Sequence, residues 1–293
     1  MSIRRHEDSQ RLRWVRGTRN LVLTALPLLL PAGAAAQAAT SQAPAGQPAA
    51  GAPSASELAK QTQNPIASLI SFPLQGNWDM GVGDREATST LVNVQPVIPF
   101  AISKSTNVVL RVITPLTSRP SSGTDGARIN GLGDIVFSTF LSPSKSGRVI
   151  WGVGPVLLLP TATNGALGAE KFGVGPTAVV LTQPGNWTIG LLANQIWSTS
   201  GASDREDVNA TYLQPFVNYN LGSGLSVGVS AEATGNWEAD DEKWSSPLLF
   251  SVSKVTTLGK RPVNFTMAAG PTFGPDAGPD WRFRFAANFL FPR

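Results

Sequence analysis

Four charged residues stand on segments that otherwise alternate apolar with small or polar side chains: Arg111, Glu232, Arg282 and Arg284. In WRFRFAANFLF, Trp281, Phe283, Phe285, Phe289 and Phe291 share one side of an extended chain, and Arg282, Arg284 and Asn288 take the other. In LSVGVSAEA, Leu225, Val227, Val229 and Ala231 oppose Ser226, Gly228, Ser230 and Glu232. A charge aimed at lipid near a bilayer midplane costs about 2–4 kcal/mol. On a membrane strand these four side chains must therefore face a lumen, and Gln95, Gln214 and Asn218 join them there with Asn93 and Asn288. The chemistry open to such a set is the selection of solutes by charge and hydrogen bonding along a permeation path. A self-satisfied polar network without traffic is the plainer reading.

Catalytic alternatives are few. The chain has no cysteine, and its one histidine is His6, near the N-terminus. Without them, the usual zinc, copper and haem sites and every Ser-His or Cys-His pair are out of reach. No cofactor and no enzyme activity are expected. Acidic clusters at 204–207 and 238–242 read as solvated loop charge; bound divalent cations shared with lipopolysaccharide are the functional alternative. The glycine-rich stretches GLGD and GVGPTAVV lack a following helix and a Lys-Ser/Thr ending, so phosphate binding is not indicated.

The elements that must position these residues are short strands. We place them near 68–80, 89–100, 107–117, 133–142, 149–160, 172–183, 187–198, 209–220, 225–236, 243–257, 262–273 and 281–291. Short connections (101–107, 142–148, 183–186, 221–224, 258–262) interleave with long ones (81–89, 118–131, 161–171, 198–209, 235–242, 274–280). That rhythm is the pattern of an up-and-down barrel in an outer membrane, with tight turns on one rim and loops on the other. An even strand number puts both chain ends on the short-turn, periplasmic side. Trp78, Trp197, Trp237, Trp244 and Trp281 fall toward the long loops, and Trp151 and Trp187 toward the short turns, as an interfacial girdle requires. Lys254 has outward parity and is expected to snorkel at the periplasmic interface. Proline recurs inside the strands at Pro96, Pro115, Pro155, Pro176, Pro215, Pro247 and Pro271, which calls for bulges or for shorter strands.

Residues 1–36 have the make-up of a secretory signal. Six arginines precede an apolar stretch over 21–30, and Ala34-Ala35-Ala36 offers a cleavage site. Taking that segment's six basic and two acidic residues from the totals of 23 and 19 leaves 17 of each. The net charge of +4 thus belongs to the signal, and nucleic acid is not an expected partner. Residues 37–53 read as an Ala/Pro/Gly linker without apolar periodicity. Residues 54–65 read as a short periplasmic helix capped by Ser54 and stopped at Asn64-Pro65. The barrel occupies 66–293.

NVQPVIPF (93–100), GLGD (131–134), WGVGPVLLLPTAT (151–163), GVGPTAVVL (173–181), DVN (207–209), LQPF (213–216) and terminal FLFP (289–292) carry a resemblance. They resemble the bacterial family linked to the phenol-degradation meta pathway, over about residues 55–293. The resemblance implies an outer-membrane channel or transporter for small hydrophobic or aromatic compounds, and it brings no site residues with it. The combined expectation is all-β: a transmembrane antiparallel β-barrel of about twelve strands after a short N-terminal helix. Its surroundings would be outer-membrane lipid and lipopolysaccharide, its handlers the barrel-assembly machinery, and its cargo small-molecule solutes. An outer-membrane barrel enzyme and a secreted β-sandwich binding apolar ligands are the alternatives.

Overall fold

The computed structural model describes residues 53–121, 126–145 and 147–292. The expected signal and all but the last residue of the linker lie outside the described residues. Twelve antiparallel strands close into one barrel. They are β1 (Ile70–Val82), β2 (Ala87–Val94 and Val97–Ala101), β3 (Thr106–Pro120), β4 (Arg128–Leu132 and Ile135–Pro143), β5 (Val149–Leu159) and β6 (Lys171–Thr182). The second half comprises β7 (Trp187–Gly201), β8 (Asn209–Gly222), β9 (Leu225–Ala231 and Ala233–Asn236), β10 (Trp244–Leu258), β11 (Arg261–Phe273) and β12 (Trp281–Phe291). Each strand pairs with its sequence neighbours, and β12 returns to β1 from Ile70↔Phe291 to Met80↔Trp281. That return closes the sheet and sets aside the two-layer sandwich. Closure is what lets a sheet satisfy its backbone in lipid.

The two faces follow the alternation in the sequence. Phe72, Ile189, Phe250, Met267, Phe283 and Phe285 are exposed on the outer wall, while Asn77, Ser138, Thr177 and Thr188 are buried within. All seven tryptophans of the barrel are exposed on the outer wall near the strand ends. Trp237 and Trp244 meet edge to face at 5.8 Å on the long-loop rim, and Trp187 packs on Tyr219 at 4.7 Å toward the short turns. Lys254 donates to the Ser223 carbonyl at 2.7 Å, in one of the short turns. The expected loop over 81–89 is the exception to the alternation: β1 runs to Val82, and β2 starts at Ala87 after a tight turn.

The in-strand prolines resolve into two devices. Four flank an interruption. β2 breaks at Gln95-Pro96, where the Gln95 N–H donates to the Pro73 carbonyl at 2.9 Å. β4 breaks at Gly133-Asp134 opposite Pro115, and the register moves by one residue between Ile113↔Val136 and Leu116↔Leu132. β9 breaks at Glu232 between Pro215 and Pro247; pairing with β8 stops at Phe216↔Ser230 and resumes at Leu213↔Ala233. Breaks of this kind re-aim side chains, and Gln95 and Glu232 sit on two of them.

The other three prolines each follow a lumen-facing glycine, as Gly154-Pro155, Gly175-Pro176 and Gly270-Pro271. On one side of each proline the ladder skips it, between Ser138↔Val156 and Leu141↔Val153, for example. A proline offers no N–H to the strand beside it. The carbonyls of Thr139, Gln195 and Leu248 lean over the three glycines instead, where any β-carbon would collide with them. The bent wall therefore needs both residues of each pair.

Inside the barrel, β3 to β8 contribute an apolar cluster of Val109, Phe140, Val179, Leu181, Leu192 and Phe216, joined by Ile66 from the N-terminal segment. Helix α1 (Ala55–Thr62) starts in a capping box: Ser54 Oγ accepts from Glu57 N, and the Glu57 carboxylate accepts from Ser54 N. These hydrogen bonds to Ser54 hold the Glu57 carboxyl below its usual range. The helix buries Leu58 and Ala59 against Val255 and Leu290, whose side chains point inward near the short turns. Lys60 Nζ donates to the Gly185 carbonyl at 2.6 Å, and Gln63 Nε2 donates to Asn220 and Ser226. The helix thus sits in the short-turn mouth of the barrel.

Candidate functional site

The lumen is the candidate site, and β12 and β1 supply its most highly charged wall. Arg282 lies directly across from Asp79, and Arg284 from Asn77. Arg282 grips Asp79 with two parallel bonds, Nε to Oδ1 at 2.6 Å and Nη2 to Oδ2 at 2.8 Å. Arg284 Nε donates to Asn77 Oδ1 at 2.7 Å. Its two terminal nitrogens reach Glu232 on β9, at 2.6 Å to Oε1 and 2.7 Å to Oε2. Arg282 Nη1 adds a longer contact to Glu232 Oε2 at 3.4 Å, and Gln214 Nε2 donates to Glu232 Oε1 at 3.3 Å. Bidentate guanidinium–carboxylate pairing is the strongest and most directional form of ion pair. Here it ties the closing seam of the barrel to β9.

Arg111, on β3, lies within electrostatic reach of Glu232 but hydrogen-bonds to a different side chain. Its Nη2 donates to Gln95 Oε1 at 2.9 Å. The carboxylates of Asp79 and Glu232 are engaged by Arg282 and Arg284. Asn218 is lower in the lumen, with its side chain over Gly228 on β9.

Two cavities occupy the interior. The upper, of about 320 Å³, is bounded by the charged group on one side and by Phe140, Leu192 and Ile196 on the other. The lower, of about 250 Å³, lies against the segment after α1, with Gln63, Asn64 and Pro65 on its wall and Asn218 and Asn288 opposite. Arg111, Gln95 and Gln214 line both cavities. They stand where the two cavities adjoin.

Seven of the nine residues expected in the lumen, Arg111, Glu232, Arg282, Arg284, Gln95, Gln214 and Asn93, line the upper cavity, and Asn218 and Asn288 line the lower one. Parity reasoning missed Asp79 and Asn77. Both alternate with outward Trp78 and with Met80 or Gly76, so the signal was present. It also missed Tyr212, which alternates with Leu213 and lines the upper cavity.

The acidic loop 204–207 is divided by its contacts. Asp207 pairs with Lys171 at 3.0 Å and accepts from Ser198 at 3.1 Å. Those two hydrogen bonds, Lys171 first, hold its carboxyl below the usual carboxylate range. Arg205 donates to the carbonyls of Gly165 and Gly168 at 2.7 Å, while Asp134 accepts from Ala162 N and Ala169 N, so the loop over β6 is pinned from two sides. Among the described residues no group of three or more His, Cys, Asp or Glu side chains is placed to hold a metal ion.

A family model described as "Putative MetA-pathway of phenol degradation" matches residues 77–247. No curated protein matches the chain. Among solved structures, the COG4313 outer membrane channel from Pseudomonas putida F1 superposes with a TM-score of 0.58 at 15% identity, covering 76% of this chain and 96% of that one. The beta domain of the Bordetella autotransporter BrkA follows at 0.44 and 12% identity, over 76% of this chain and 100% of that one. The CymD monoaromatic hydrocarbon channel gives 0.42 and 9% identity, over 80% and 90%. At 15% identity the likeness to the COG4313 channel is one of fold.

Proposed function

We propose a transport function from one premise: the chain belongs to the MetA-pathway phenol-degradation family. The protein is an outer-membrane channel or transporter that passes small hydrophobic or aromatic compounds. The observation that carries this reading is the pair of lumen cavities meeting at Arg111, Gln95 and Gln214, each with polar residues on one side and apolar ones on another. A lumen built only for stability would be served by apolar filling, since a buried ion pair adds little over hydrophobic packing of the same volume. The exposed apolar belt and its tryptophans support residence in the outer membrane, among lipid and lipopolysaccharide, after delivery by the barrel-assembly machinery. With the short turns on the periplasmic side, both chain ends face the periplasm and α1 stands at the exit. The chain's single histidine at position 6 and its lack of cysteine speak against an enzyme.

The test is electrical. Mature protein from the outer-membrane fraction, confirmed as folded by a mobility shift between boiled and unboiled samples, is inserted into planar bilayers. Discrete conductance steps, with phenol uptake into proteoliposomes above that of empty vesicles, are the expected result. A folded barrel with neither would refute the transport reading.

A further inference from the structure

We infer that the junction of the two cavities carries an anion subsite centred on Arg111, suited to small aromatic carboxylates; this rests on the transport reading and specifies its cargo. Three observations meet there. The first is position: Arg111 belongs to both cavities, so a solute crossing from one to the other passes its guanidinium. The second is charge. Among the inward-facing charged side chains of the upper cavity and its seam, Arg282 is taken by Asp79, and Arg284 by Glu232. Arg111 is the remaining cation, and its side-chain partner is the neutral amide of Gln95. A guanidinium presents five N–H donors in a planar fork matched to a carboxylate, and Gln95 takes one of them at Nη2.

The third observation is the wall around it. The upper cavity sets Arg111 among Ile113, Val136, Phe140, Leu192 and Ile196. A ligand that satisfies the site fully has a planar anionic end for the guanidinium and a flat apolar body for that wall. At about 320 Å³ the cavity falls at the small end of known ligand pockets, enough for a single ring with a short substituent. A neutral hydrocarbon leaves the guanidinium unused, and an inorganic anion leaves the apolar wall unused. The aromatic acid uses both.

The experiment compares benzoate, benzamide and acetate, titrated calorimetrically against the full-length mature protein folded in detergent, with empty micelles subtracted. Benzamide keeps the ring and loses the charge; acetate keeps the charge and loses the ring. Benzoate is expected to bind about tenfold more tightly than benzamide, the scale of one charge-assisted hydrogen bond gained, and more tightly than acetate. In Arg111→Gln the benzoate-to-benzamide ratio should fall toward one, and Arg111→Lys should retain part of the preference if the first variant folds poorly. Equal binding of benzoate and benzamide, or a preference that survives Arg111→Gln, would overturn the subsite. Benzoate and acetate binding alike would overturn its aromatic half. Conductance in potassium chloride, recorded on the same preparation, reports the transport reading separately, so a silent barrel that still prefers benzoate would sink that reading and leave the subsite standing.

Discussion

Replacing Glu232 with glutamine isolates the charge of one carboxylate at nearly constant shape. In the native lumen Glu232 accepts two short bonds from Arg284, one longer bond from Arg282 and one from Gln214. The amide can accept on one side only and would turn its own NH₂ against a guanidinium. Arg282 keeps Asp79, but Arg284 is left with Asn77. Removing one partner from a well-buried pair costs about 3–5 kcal/mol, and a single charge-assisted hydrogen bond is worth about 1.5–3 kcal/mol. The side chains of Arg284 and Glu232 retain 10% and 11% of their exposure, which favours the lower part of that span. We expect Glu232→Gln to destabilise the barrel by about 2–4 kcal/mol, or roughly 5–15 °C in the temperature at which the fast-migrating folded band is lost. A double-mutant cycle with Arg284→Met should return a coupling energy above about 1 kcal/mol. The substitution also removes one of two negative charges facing three arginines, so reversal potentials in a salt gradient should shift toward anions. A variant within about 0.5 kcal/mol of the wild type, with unchanged selectivity, would refute the view that this bridge braces the lumen.

Gly175→Ala should destabilise the barrel by about 1–3 kcal/mol, because its methyl group meets the Gln195 carbonyl; chemical denaturation in micelles measures it, and a neutral effect would contradict the account of the Gly-Pro pairs. Removing residues 54–63 should raise single-channel conductance, since the helix and Gln63 occupy the short-turn mouth; an unchanged conductance would show that the current flows past the helix. Asp207 should titrate below its ordinary value of 3.8, as followed by carboxyl chemical shifts. Its folded pKa is depressed, so what the Lys171 pair adds to stability is present above the unfolded pKa and disappears as pH falls through the lower, folded one. Asp207→Asn should abolish that acid-side loss.

The outer wall was the most legible part of the sequence. Trp281–Phe291 and 225–233 alternate cleanly because each strand has lipid on one side and a polar lumen on the other. Where the lumen is itself apolar, that contrast vanishes: Val149–Leu159 reads VIWGVGPVLLL, and nothing local marks Val156 as fully buried and Val153 as exposed. The prolines were visible, but their role was not, since it depends on the Thr139 carbonyl of another strand leaning over Gly154. Arg282 and Arg284 were found by parity, whereas their partners depend on closing the chain's last strand on its first. The place of α1 is set by Val255 and Leu290, far along the sequence, and no property of SASELAKQTQ foretells it.

The seam between β1 and β12 has a consequence for fidelity. These two strands come from opposite ends of the barrel sequence, so no turn sets how they align. Slipping one strand of a pair by a single residue exchanges the faces of all its side chains. On β12 that slip would carry Arg282 and Arg284 into the hydrocarbon, at a cost of up to about 2–4 kcal/mol for each arginine, and would bring Phe283 and Phe285 into water. It would also leave Asp79 facing no cation. The two arginines therefore act as a key cut for one alignment: a barrel that shuts with any odd offset is penalised at the moment of closure, before any solute meets its lumen.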